Sequence, residues 1–286
     1  MITAAPETLR PSRIGILAGG GDYPPLLARL AIKAGHEVFV AALIGVAEPA
    51  DFAGSDLQSF RLGQLGKLLA ELRRREITDL VLIGGLPRPS FGALMPEPST
   101  LKYLPHFAKA FQGGDDHLLR GVISFLEGQG FHVRGPAEIA PALTAPLGPI
   151  GSRTASESQR ADLTRGFELL DTLSPFDVGQ AAVFADHRVV AIEAAEGTDA
   201  MIARVGDIAA SGRLKLAKGD GVLVKAPKRT QDLRVDMPAI GAQTLHNAAA
   251  AGLSGIGVRA GQVLVGDVVE LGRLADRLGL FVEGVP

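Results

Sequence analysis

The chain has no cysteine in its 286 residues, no tryptophan and only two tyrosines. Without cysteine there is no disulfide framework, no thiolate zinc site and no cysteine nucleophile. A surplus of one charge sign is missing as well, since 29 Lys and Arg stand against 31 Asp and Glu for a formal net charge of −2. Cations scattered on a near-neutral chain do not form the basic face that drives non-specific nucleic-acid binding, so no nucleic-acid partner is expected. Long hydrophobic runs are absent too. The longest, Val38 to Val46, is about half the length of a bilayer span and reads as a buried strand running into a loop, so any membrane contact is expected to be peripheral. The first thirteen residues include Pro6, Glu7, Arg10, Pro11 and Arg13 around no apolar core of signal-peptide length, which gives a cytoplasmic address as the expectation. There is no GxSxG elbow and no P-loop, and the histidines are dispersed without metal-ligand helix spacing.

What is present is aliphatic. Hydrophobic residues make up 47% of the chain, with 36 glycines and few aromatics, the makeup of an α/β protein in which aliphatic strands alternate with Ala- and Leu-rich helices. The length favours two domains, and the Pro-, Ala-, Gly- and Ser-rich stretch from 135 to about 155 places the division there, giving domains 1–134 and 135–286. Strands are expected at Ile14 to Ala18, Glu37 to Leu43 and Asp79 to Ile83, with helices between them, and this βαβα order implies a parallel sheet. A helical stretch from Leu101 to Phe111 and a helix from His117 to Glu127 follow, and Phe131 to Arg134 closes the first half. In the second half, Ser156 to Leu173 reads as a helix, Gly179 to Phe184 and Arg188 to Ala194 as a hairpin around Asp186-His187, and Ala200 to Ile208 as a helix. Gly221 to Val224, Gly255 to Val258, Gln262 to Val265 and Leu280 to Glu283 read as strands. Thr244 to Ala251 is a helix stopped by Gly252, and Asp267 caps a last helix.

Chemistry concentrates after the strand ending at Val224. From Lys225 to Pro238 the chain carries Lys225, Lys228, Arg229 and Arg234 with Asp232 and Asp236. Such a run suits phosphate or pyrophosphate, with a carboxylate holding a divalent ion that bridges phosphate oxygens; a loop of mutually paired surface charges has the same composition. Arg234 offers bidentate phosphate contacts and Lys225 and Lys228 compact charge, while Asp232 and Asp236 are candidate metal ligands. Gly19-Gly20-Gly21 follows a strand and precedes a helix, where backbone amides can meet a phosphate, or where glycine simply serves a tight turn. The dinucleotide fingerprint is incomplete, because Pro24 stands where glycine or alanine is needed and no acid follows Leu43-Ile44-Gly45. Asp115-Asp116 either joins a metal site or caps the next helix. Glu196-Gly197-Thr198-Asp199 opens a helix after a strand. If the strand ends share one sheet edge, that turn and the charged run face one crevice.

Taken together, Ile16-Leu17-Ala18-Gly19-Gly20-Gly21, Arg88-Pro89-Ser90-Phe91, Gly114-Asp115-Asp116, Glu196-Gly197-Thr198-Asp199-Ala200-Met201 and Lys225-Ala226-Pro227-Lys228, leading through Arg234-Val235-Asp236 to Pro238 and Ile240-Gly241, resemble the LpxI-type UDP-2,3-diacylglucosamine pyrophosphatases of Gram-negative lipid A synthesis. The resemblance covers nearly the whole chain. It implies a Rossmann-like N-terminal domain, a second α/β catalytic domain and a lipid product held between them. It also implies a hydrolase dependent on Mg²⁺, or another divalent ion such as Mn²⁺, in which water attacks the sugar-side phosphorus and releases UMP. Asp236 matches the family's essential aspartate. Lys225, Lys228 and Arg234 are expected to join it as catalytic residues, Gly19, Gly20, Gly21, Glu196, Gly197, Thr198 and Gln180 to bind substrate, and Asp236, Asp199 and Asp232 to hold metal, with Asp232 ranked below Asp236. The Gln231-Asp232 pair and the extension before Arg13 depart from the family pattern. The expected partner is an amphipathic UDP-linked lipid, and the expected assembly a homodimer. A dinucleotide-dependent oxidoreductase and a non-catalytic lipid or nucleotide carrier are the competing readings.

Overall fold

A computed structural model describes residues 12–86, 97–103, 115–212 and 221–286. Arg88-Pro89-Ser90-Phe91, Gly113-Gly114 and most of the helical stretch expected from Leu101 to Phe111 lie outside them. The fold is α/β, and the chain divides into two compact units, Met1–Ala140 with Arg234–Asp236, and Pro141–Leu233 with Met237–Pro286.

In the first unit, β1 (Arg13–Ala18), β2 (Glu37–Leu43), β3 (Asp56–Phe60), β4 (Asp79–Ile83) and β5 (His132–Val133) form one sheet in the order β3-β2-β1-β4-β5. Every neighbouring pair is parallel. Parallel strands need a crossover, and α1 (Tyr23–Lys33), α2 (Leu65–Arg74) and α4 (Asp115–Gly128) supply it, with α3 (Pro98–Leu101) as a single turn. Alternate residues of each strand face opposite sides. Phe39, Ala41 and Leu80 share a core with Leu69 and Leu72 of α2 and Ile123 and Leu126 of α4. Ile14, Ile16, Val40 and Val81, of the other parity, are also fully buried, so both faces are covered. β3 is absent from the sequence reading. Its residues Asp-Leu-Gln-Ser-Phe alternate between exposed and half-buried until Phe60, because it is an edge strand with too few apolar residues to announce itself. Helix α4 begins at Asp115, two residues before the expected start, so Asp115 and Asp116 sit inside the helix rather than ahead of it.

The second unit's sheet has the order β6-β11-β10-β9-β7-β8, from β6 (Gly148–Pro149), β7 (Ala181–Ala185), β8 (Arg188–Ile192), β9 (Gly221–Lys225), β10 (Leu253–Arg259) and β11 (Phe281–Val285). β9, β10 and β11 are parallel, while β6 runs against β11 and β7 against both β9 and β8. The sheet is therefore mixed rather than wholly parallel. The cause is the β7–β8 hairpin, whose turn residues Asp186 and His187 have φ of 50° and 59°, the handedness that fits a two-residue hairpin turn to the strand twist. Two reversals leave β8 running in the direction of β9.

Helix α6 (Glu157–Leu173), capped by Ser156, covers one face with Leu163, Phe167 and Leu170. It lies close because Gly166 has no side chain; a Cβ there would meet Val224 at 2.6 Å. Helices α7 (Thr198–Ala210), α8 (Ala242–Ala250) and α9 (Val268–Leu278) cover the other face in a core that includes Met201, Leu245 and Ala275. The stretch from 135 to 155 is packed rather than free: α5 (Pro136–Ile139) and β6 fall in it, and Ile139, Leu143, Ala145 and Ile150 are buried. Gln262 to Val265 is not a strand. Leu264 makes isolated bridges to Thr144 and Ala239, and the apolar side chains there plug the core from a loop.

Candidate functional site

The mixed topology decides what shares an edge in the second unit. The carboxyl-terminal ends of β8 and β9, the start of β7 and the start of α7 all meet there. Lys225, the last residue of β9, is only 9% exposed and donates through Nζ to Thr198 Oγ1 at 2.8 Å. Burial pushes its ammonium below the ordinary lysine value, and the neighbouring carboxylates of Glu193 and Asp199 pull the other way. The expected convergence of the charged run with the Glu196–Asp199 turn is thus realised by a direct bond. Thr198 is the first residue of α7, Gly197 before it has φ of 82°, and no side chain caps the helix. Such an uncapped start leaves backbone N–H groups able to meet an anion.

Around this pair the chain is tied by backbone bonds. Ala226 N donates to Gln180 O at 3.0 Å, and Gln180 N donates to the Glu193 carboxylate at 3.1 Å. Gln180 is therefore held at the edge by its backbone, with its half-buried side chain left to other uses. Asp199 accepts from Asn247 Nδ2 of α8 at 2.9 Å. Glu196, expected to bind substrate, spends its carboxylate inside the turn: it accepts from Ala194 N at 3.2 Å and from Arg204 at 2.7 Å. Its backbone hydrogen bonding, then Arg204, hold its pKa below the usual carboxylate range.

Lys228 pairs with Asp177, and its backbone N–H donates to Gln231 Oε1 at 2.9 Å. Arg229 N donates to Ser174 Oγ at 2.8 Å. The first part of the charged run is in this way clamped to the turn that follows α6. The later part belongs to the first unit. There Arg234 pairs with Glu127 of α4 at 2.8 Å and Val235 packs on the core around Phe39. Arg234, expected as a phosphate ligand, has an acidic partner here. Both side chains are more than a third exposed, so the pair is weakly held and exchangeable. Asp232 and Asp236 are half-buried. Among the described residues no three acidic or histidine side chains gather as a metal shell.

The glycine turn of the first unit is arranged for packing. Gly19 N donates to Ile83 O at 2.8 Å, and Gly20 and Gly85 exchange N–H···O bonds at 2.9 Å. A Cβ on Gly19 would stand 2.6 Å from Gly85 O. Two amides needed for pyrophosphate are already used. In the first turn of α1, Pro24 and Pro25 have no N–H to offer, so this helix start is a poor anion receptor and the dinucleotide reading loses its chemistry. Gly21, exposed with φ of 98°, is the one member left open to a ligand.

Glu193, Asn247 and the Ser174–Asp177 turn were not singled out from sequence. Glu193 alone carried a signal, as an acid at the end of an aliphatic strand. The others act through contacts set by tertiary packing.

The chain matches the LpxI N-terminal domain over residues 13–143 and the LpxI C-terminal domain over residues 146–283. A Caulobacter vibrioides protein named UDP-2,3-diacylglucosamine pyrophosphatase LpxI is 39% identical over 275 residues, which span 96% of this chain and 97% of that one. A solved glycinamide-RNase-transformylase T from Mycobacterium tuberculosis shares 16% identity at a TM-score of 0.23, covering 62% of this chain and 43% of its own.

Proposed function

This chain belongs to the LpxI family, and from that premise we propose that it hydrolyses the pyrophosphate of UDP-2,3-diacylglucosamine to UMP and 2,3-diacylglucosamine 1-phosphate. The observation that carries the reading is the Lys225–Thr198 corner: a buried ammonium and a hydroxyl at an uncapped helix start, the chemistry that receives a phosphate. Water adds to the sugar-side phosphorus, the bridging P–O bond breaks, and the bridging oxygen leaves with UMP. One proton of the water is lost to solvent or to a nearby base.

Lys225 offsets negative charge that grows on the phosphate oxygens as the bond breaks. Because it is already desolvated and held by Thr198, it needs little reorganisation, which is where electrostatic catalysis gains most. Lys228 adds charge once it exchanges Asp177 for phosphate, and Arg234 does the same by exchanging Glu127. Gln180, Gly21, Gly197 and Thr198 contact substrate. Asp236 is the essential acid, an assignment that rests on its match to the family motif.

Magnesium fits this donor chemistry, since Mg²⁺ takes one or two carboxylates and completes its shell with water and phosphate oxygens instead of a dedicated protein cage. Asp236 would hold it, with Asp199 and Asp232 as further oxygen donors. When bound it supplies neutralisation of the pyrophosphate charge. Manganese would serve in the same way. Among the described residues no helix is long and apolar enough to cross a membrane, so the amphipathic substrate would be met through peripheral contact.

The test is Asp236→Ala under saturating Mg²⁺, with folding checked by circular dichroism. UMP release should fall by at least a hundredfold, the scale of losing one group that acts in the transition state. Turnover that survives in a folded variant removes Asp236 from its role.

A further inference from the structure

We propose that Glu193 is the general base of the hydrolysis, the group that takes the proton from the attacking water. The assignment rests on the hydrolase reading and names the base which that reading leaves open.

Strand register places the carboxylate. Ala181 of β7 stands opposite Lys225 of β9, and Ala181 O accepts from Glu193 N at 2.9 Å, one residue past the end of β8. Residues directly opposite one another on antiparallel strands point to the same face. Val183, Leu223 and Ala191, two residues further into each strand, lie in the core beneath α7. Lys225, Ala181 and Glu193 therefore form a row on the α7 side of the sheet, at the edge where Thr198 begins that helix. Neighbouring strands are about 4.8 Å apart, so the backbones of Glu193 and Lys225 are about 10 Å apart with only the methyl of Ala181 between them. A glutamate and a lysine together span that gap. Glu193 acts on Lys225 accordingly: burial lowers the lysine's pKa, and Glu193 leads the charges that oppose the lowering.

The local backbone fixes the side chain. A Cβ on residue 179 would stand 2.5 Å from Glu193 Cγ, so glycine there lets the glutamate stem lie against the chain. Gln180 N donates to Glu193 Oε2 at 3.1 Å, while Oε1 has no hydrogen-bond partner among the described residues. The side chain is half-buried, with one oxygen anchored and the other left to meet a water. Of the other carboxylates there, Glu196 spends both oxygens, Oε2 on Ala194 N and Oε1 on Arg204. Asp199 is tied to Asn247 of α8 and stands as the oxygen donor to Mg²⁺.

As the water oxygen bonds to the sugar-side phosphorus, its proton passes to Glu193 Oε1. The bridging P–O bond breaks, its electron pair leaves on the UMP oxygen, and Glu193 afterwards returns the proton to solvent. Lys225 offsets the repulsion between this carboxylate and the phosphate it must approach.

The test reads UMP release by the full chain from UDP-2,3-diacylglucosamine with Mg²⁺. Glu193→Gln keeps an oxygen for Gln180 N and should stay folded by circular dichroism. Its kcat should fall about 10²- to 10⁴-fold, the range of a general base, with KM within about twofold of wild type. In Glu193→Ala, formate should restore kcat about tenfold or more over chloride at the same ionic strength, because formate can take a proton and chloride cannot. A mere counter-ion to Lys225 would be replaced by either anion alike. The proposal is overturned if Glu193→Gln keeps kcat near wild type, if the loss lies in KM alone, if that variant unfolds, or if formate does no better than chloride. Wild-type protein that releases no UMP would sink the hydrolase reading itself, whereas wild-type turnover shared by Glu193→Gln removes Glu193 alone.

Discussion

Lys225 is buried in a place that resists charge, and two consequences follow at the scale of the single residue. Its folded pKa is below the ordinary 10.5 because burial outweighs Glu193 and Asp199. While pH is below the folded value, the residue is protonated in both states and its burial opposes folding; the opposition is relieved as pH rises from the folded value towards 10.5. Lys225→Met should therefore equal or exceed wild type in urea stability at neutral pH, and any advantage should shrink on going alkaline. UMP release should collapse in the same variant. In wild type, the alkaline limb of the activity profile should fall at a lower pH than a solvated lysine would give. Lys228→Ala should be milder, costing about 1 to 3 kcal/mol of transition-state stabilisation in kcat/KM, because neighbouring cations remain. Lys225 and Thr198 were legible in the sequence as charge at a strand end and polarity at a helix start. Their direct bond was not, since it depends on β8 and β9 ending on one edge. Asn247 was invisible for a like reason: only the packing of α8 beside α7 brings it to Asp199.

Elements were read best where their punctuation is chemical. Asp267 accepts from Val269 N at 2.9 Å and Glu270 N at 3.0 Å, as expected of the cap of a helix stopped by Gly279. Asp267→Ala should lower stability by about 1 kcal/mol, measured by denaturant unfolding. The aliphatic strands were equally plain, and so was the hairpin at Asp186-His187. What failed was the weakly apolar edge strand β3, which the sheet recruits by hydrogen bonding more than by burial, and the apolar loop 262–265, whose side chains mimic a strand while they fill the core. The glycine turn was legible as a turn, but its closeness to Gly84-Gly85 was not. Gly19→Val should destabilise the first unit by several kcal/mol, because the added atoms meet backbone that cannot yield. Thermal unfolding would check this, and a variant as stable as wild type would mean that the approach at Gly19 is looser than described.

Across the whole molecule, two α/β units share a chain that leaves the second for Arg234–Asp236 and then returns. The charged run that reads as one motif is thereby divided: Lys225 and Lys228 are built into the second unit, while Arg234 and Asp236 are grouped with the first. No local pattern reveals such a division, since it arises from where Val235 finds its core. The central claim is that this protein splits a sugar-linked pyrophosphate with water at the sugar-side phosphorus. The direct measurement is mass spectrometry of the products after turnover of UDP-2,3-diacylglucosamine in ¹⁸O-water with Mg²⁺ present. One heavy oxygen should appear in the 2,3-diacylglucosamine 1-phosphate and none in UMP. Label in UMP would contradict the direction of attack, and substrate recovered unchanged would contradict the hydrolase itself.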